Sequence, residues 1–121
     1  SVSIPPAYND KYKSLILVSV DTDLIDQRVN RDAILLIDLD TFPKNGSLVY
    51  FNYEDSEMIY EYRTDDQSII LEPSSSRIDD LFGQTGDAHE IIINKNNPLE
   101  RKKLNIIGKV VGYLSDITKE I

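Results

Sequence analysis

Short apolar runs separated by polar, turn-forming breaks organise this chain, and the runs have the lengths of β-strands. Residues 14–20 (Ser-Leu-Ile-Leu-Val-Ser-Val) and 33–39 (Ala-Ile-Leu-Leu-Ile-Asp-Leu) are the first two, and both are rich in strand-forming residues. Residues 48–53 and 57–63 flank Glu54-Asp55-Ser56 and predict a hairpin with a short polar loop. Residues 67–72 predict the next antiparallel strand, which Pro73 ends because proline has no N–H to give to a ladder. From 74 to 88 the chain is polar and loop-like, with one helical turn expected at 77–82. Residues 90–94 form a short strand, Asn96-Asn97-Pro98 a turn, and 104–114 the last long strand. Gly108 and Gly112 are its expected bend or bulge points. No run sustains apolar residues at i, i+3, i+4, so the fold class expected is mainly β: one domain of antiparallel strands and hairpins with little helix. Residues 1–10 predict a linker, since paired prolines favour extended backbone, and 11–121 the domain.

Several of these segments share a pattern beyond their hydrophobicity. Leu15 to Val20 leads into Val20-Asp21-Thr22-Asp23-Leu24, followed by Arg31-Asp32-Ala33-Ile34-Leu35-Leu36-Ile37. Pro43-Lys44-Asn45-Gly46-Ser47-Leu48-Val49 opens the hairpin, and Ile69-Ile70-Leu71-Glu72-Pro73-Ser74-Ser75 closes the strand after it. Leu104-Asn105-Ile106-Ile107-Gly108-Lys109-Val110-Val111-Gly112 ends the series. In this order and spacing they resemble the C-terminal domain of LexA and phage CI-type repressors, a serine-peptidase fold. That family reads hydrophobic strand, Gly-Asp-Ser-Met, loop, Gly-Asp, hydrophobic strand, then an Asn-Gly hairpin, an Ile-Leu-x-Pro-x-Asn strand end and an Ile-Gly-x-Val-Val strand.

The resemblance implies a Ser–Lys dyad, and this chain departs from it at both positions. Thr22 stands where the family has serine, and Glu61 stands in the best register for the lysine. No residue from 58 to 63 is lysine. Such a dyad works because a desolvated lysine loses its proton and serves as base toward the serine hydroxyl. A threonine methyl crowds the attack, and a carboxylate acts as base only with a raised pKa. Val20 replaces a glycine that lets the backbone approach closely, and Ser75 replaces an asparagine. The family's cleaved Ala-Gly or Cys-Gly dipeptide does not occur in the chain. The expectation is a peptidase-like scaffold with no catalytic residues, Thr22 and Glu61 facing each other across the former cleft; an active peptidase using Thr22 is the alternative.

Composition narrows the remaining chemistry. With 121 residues, one core can be buried without staples. The absence of cysteine excludes disulfides, thiol nucleophiles and thiolate metal sites within these residues. His89 is the single histidine, so a multi-histidine metal site is excluded and a surface role is expected for it. Asp21, Asp23, Asp26, Asp38 and Asp40 fit turn caps at strand ends better than a cation cluster, and no calcium-loop motif occurs. No metal and no cofactor are expected. Tyr50, Phe51, Tyr53, Tyr60 and Tyr62 lie among acidic neighbours and read as cross-strand packing rather than a nucleic-acid stacking platform. No apolar run reaches the roughly 18 residues of a membrane span, and the first residues lack a signal-peptide pattern, so a cytoplasmic protein is expected.

A net charge of −8 opposes direct contact with DNA phosphates, and the basic cluster Arg101-Lys102-Lys103 reads as a solvated turn. The resemblance therefore implies that DNA is touched through a helix-turn-helix domain preceding residue 1. The domain itself is expected to be the dimerisation and regulatory part of a prokaryotic or phage repressor, open to an antirepressor or inducer protein; a stand-alone protein- or ligand-binding module is the other reading. The segment 106–117 carries more apolar residues than one buried face needs, which predicts a homodimer interface at Ile106, Val110, Tyr113, Leu114 and Ile117 along a free strand edge.

Overall fold

A seven-stranded antiparallel sheet is built around the last strand rather than ending on it. The computed structural model describes residues 6–21, 32–73 and 89–114. Its elements are α1 (Pro6–Lys11), β1 (Leu15–Asp21), β2 (Asp32–Asp38), β3 (Ser47–Tyr53), β4 (Ser56–Thr64), β5 (Ser68–Glu72), β6 (Ile91–Asn94), α2 (Pro98–Lys103) and β7 (Leu104–Leu114). The strand order is β1-β2-β7-β3-β4-β5-β6, and every neighbouring pair is antiparallel. The mainly β architecture expected from the apolar runs is the one observed, and each of the seven runs became a strand.

Side-chain alternation gives the sheet two buried faces, because both sides of its middle strands are covered. Leu35, Ile37, Tyr50, Ile59 and Val110 form one cluster, joined by half-buried Ile16, Val18, Leu48 and Ile107. Val49, Phe51, Tyr60, Tyr62 and Leu71 form the other, joined by Tyr53, Met58, Ile69, Ile91, Leu104 and Ile106. Strand β3 feeds both, with Val49 and Phe51 on one side and Tyr50 on the other. Phe51 and Tyr60 meet edge to face at 5.3 Å between ring centroids, a favourable aromatic arrangement.

Strand β7 fills two faces by shifting register twice. Tyr50 pairs with Gly108 and Phe51 with Ile106, which leaves Ile107 as the extra residue of a bulge. Leu36 pairs with Gly112 and Ile37 with Val110, which leaves Val111 as the second. A glycine sits beside each bulge for a steric reason. A Cβ at Gly108 would lie 2.6 Å from both the Asp38 carbonyl oxygen and Ile37 Cγ2. At Gly112 it would lie 2.6 Å from the Tyr8 hydroxyl, so this glycine is the seat on which α1 rests.

Both helices are additions to the sequence expectation. Pro6–Lys11 is helical instead of extended: a proline at the first helical position gives up an N–H that has no intrahelical acceptor anyway. The basic segment expected as a turn is the last turn of α2. Asn97 caps that helix, its Oδ1 accepting from Leu99 N at 3.0 Å and Glu100 N at 3.4 Å, with Pro98 next. The β3–β4 connection is a two-residue turn: Tyr53 pairs with Ser56, and Glu54 and Asp55 take φ of 48° and 67°. The helical turn expected at 77–82 lies outside the described residues.

Candidate functional site

The two positions matched to the dyad have different standing in the structure. Thr22 and Ser75 lie outside the described residues, and the last described residue before Thr22 is Asp21, paired with Asp32 at the end of β1. Glu61 is on β4, half-buried, opposite Leu48 on β3 and Glu72 on β5. Its alternation partner Ile59 belongs to the same apolar cluster as Ile16 and Val18 of β1, so strands four places apart in the sheet order share one core. That core runs along one face of the sheet from β1 through β2, β7 and β3 to β4. The only basic side chain on β4 is Arg63, exposed and ion-paired with Glu72. The acid at 61 thus lies across from another acid, and β4 offers no amine that could serve as base.

A second locus forms where β2 ends. Asp38 is buried, and its carboxylate accepts from Asp40 N at 3.1 Å and from the Thr41 hydroxyl. It acts as the turn-capping aspartate expected at this strand end. The turn throws residues 39–43 over the second core cluster, where with Tyr62, Ile69 and Ile106 they line a cavity of about 300 Å³ open to solvent. Phe42 stands at its rim with 86% of its surface exposed, and Leu39 is 43% exposed. Sequence reading missed this patch. Its signal was an apolar Leu39 and Phe42 set among turn-forming residues, where nothing in a polar loop calls for them.

Beside it lies a shallower hollow of about 450 Å³ lined by Lys11, Tyr12, Lys13, Asp38, Asp40, Thr41 and Lys109. Its charges are mixed, three cations against two carboxylates, and they favour no single class of ligand. Elsewhere the perturbed groups serve the fold. Tyr50 is buried and donates to Glu57 Oε2 at 2.5 Å; burial, then the hydrogen bond and charge of Glu57, push its pKa up to about 12. Tyr53 is also raised, first by its hydrogen bond to Glu54. Among the described residues no three His, Asp or Glu side chains converge as a metal site. His89 is exposed. Tyr50, Phe51, Tyr60 and Tyr62 are buried and Tyr53 is half-buried, so the aromatic set packs into the cores as cross-strand packing requires.

Two of the five expected interface residues, Ile106 and Val110, have side chains that the structure describes. Val110 is a core residue, Ile106 is half-buried beside the Phe42 cavity, and Ile117 lies outside the described residues. Tyr113 and Leu114 pair through their backbones with Leu35 and Ile34. Strand β7 lies between β2 and β3 in the sheet order, pairing β3 through residues 104–109 and β2 through residues 109–114. Its apolar residues serve both cores: Leu104 and Ile106 pack in one while Ile107 and Val110 pack in the other. Among the described residues no helix is long and apolar enough to cross a membrane. Comparison with protein-family models and with curated proteins returns no match for the chain.

Proposed function

We propose that the chain is the non-catalytic dimerisation and regulatory domain of a LexA/CI-type prokaryotic or phage transcriptional repressor. The observation that carries the reading is the placement of the resembling segments. β1 and β2, which bracket Thr22 in the sequence, pair with each other; β2 lies beside β7, the segment resembling the closing Ile-Gly-x-Val-Val strand, and β7 lies beside β3, which follows the Asn-Gly turn. The pattern that runs in order along the sequence thus becomes one contiguous stretch of sheet. The position matched to the lysine falls on the next strand and holds Glu61.

In this reading the domain pairs two DNA-binding heads, each a helix-turn-helix unit preceding residue 1. Pairing turns the second head's contact with a two-fold operator into a nearly intramolecular step. The acidic domain stays off the phosphates, requires no cofactor, works in the cytoplasm and offers its surface to an antirepressor or inducer protein. Neither Thr22 nor Glu61 performs hydrolysis. Incubation of the repressor at alkaline pH, followed by intact-mass measurement, tests the loss of catalysis. An unchanged mass over days is expected; a cut that Thr22→Ala abolishes establishes the threonine peptidase instead.

A further inference from the structure

We propose that a second copy of this chain docks on the loop patch around Phe42, each Phe42 ring entering the other copy's cavity beneath residues 39–43. The proposal rests on the dimerisation reading above and gives it a surface. Three observations lead to a second copy as the occupant. The first is self-complementarity. One patch holds both a protruding aromatic, 86% exposed, and an apolar cavity of about 300 Å³. A cavity near 150 Å³ already accepts a benzene-sized ring. A knob and a hole on the same face are what an isologous two-fold contact requires.

The second observation is the charge pattern. Asp40 is the only charged residue among those lining the cavity, so its closure buries few ionic groups. Asp40 and Lys44 are exposed and stand two residues before and two after Phe42. Antiparallel apposition of two such loops sets Asp40 of one copy against the partner's Lys44, and the reverse, in a reciprocal pair. The short-range attraction opposes the repulsion of two −8 chains, which physiological salt screens beyond roughly 8 Å. The third is support. Asp38 anchors the loop through Asp40 N and the Thr41 hydroxyl, and Pro43 follows Phe42 directly, so the ring is presented on a constrained turn.

Sedimentation equilibrium across micromolar concentrations tests this on the chain itself, its Phe42→Ser variant, Lys44→Asp, and Lys44→Asp with Asp40→Lys. The native chain is expected to dimerise, and Phe42→Ser to weaken the dimer at least about tenfold with an unchanged far-UV circular dichroism spectrum. Lys44→Asp is expected to weaken it severalfold and the double exchange to restore it, because the reciprocal pair is rebuilt with its signs reversed. A native dimer that neither Phe42→Ser nor Lys44→Asp weakens overturns this interface and leaves dimerisation standing. A native chain that stays monomeric throughout overturns both.

Discussion

Single residues carry the tightest constraints, and Gly108 is the sharpest. A methyl there meets the Asp38 carbonyl oxygen and Ile37 Cγ2, both at 2.6 Å, and one of them is backbone. Gly108→Ala is expected to cost about 1–3 kcal/mol, the usual penalty of overpacking, read as a lower urea midpoint; an unchanged midpoint contradicts the close approach. Tyr50 gives a pH signature. Its folded pKa, about 12, lies above the ordinary 10.0, so the folded state holds the proton more tightly. The contribution to stability is fully present below pH 10 and falls as pH rises through 12. Glu57→Gln is expected to bring tyrosinate absorbance to lower pH without reaching the ordinary value, because burial, the larger cause, remains. At this scale sequence reading recovered the bulge glycines, since a glycine inside an apolar run has few other uses. It could not recover Phe42, because exposure of one ring depends on how a turn is thrown over a sheet, which no local pattern encodes.

At the scale of elements, strands were legible and helices were not. β2 holds a continuous apolar run because both its faces are buried, and its seven residues have strand length. The eleven residues of β7 read as strand through their β-branched residues and interior glycines. The two helices are six residues each and have no buried residue, so they leave no apolar stripe to read. α2 was marked by its cap alone, and Asn97→Ala is expected to cost about 1 kcal/mol, seen as faster amide exchange at residues 99–103. The β3–β4 turn was legible in place and not in type. Glu54 and Asp55 hold positive φ where asparagine and glycine are the usual residues. Glu54→Asn with Asp55→Gly is therefore expected to raise stability by about 0.5–1 kcal/mol; destabilisation in thermal melts contradicts the turn assignment. The apolar surplus of β7 belongs to this scale as well, since the strand feeds both core clusters. An apolar surplus has two explanations, a partner or a second internal face, and only the strand order distinguishes them.

For the whole molecule, the central claim is that this domain brings two DNA-binding heads together without cutting a peptide bond. The net negative charge and the sheet packed on both faces suit a unit that acts through its own pairing rather than through nucleic acid. The claim separates from fold and stability once a monomeric helix-turn-helix head of known operator preference is joined to residue 1. Occupancy of a two-half-site operator is then measured by gel shift against that of the free head at the same ionic strength. The expected result is half-occupancy at a concentration at least about tenfold lower for the fusion, with the advantage lost on a single half-site. Equal occupancy by the fusion and the free head on both operators contradicts the proposed function.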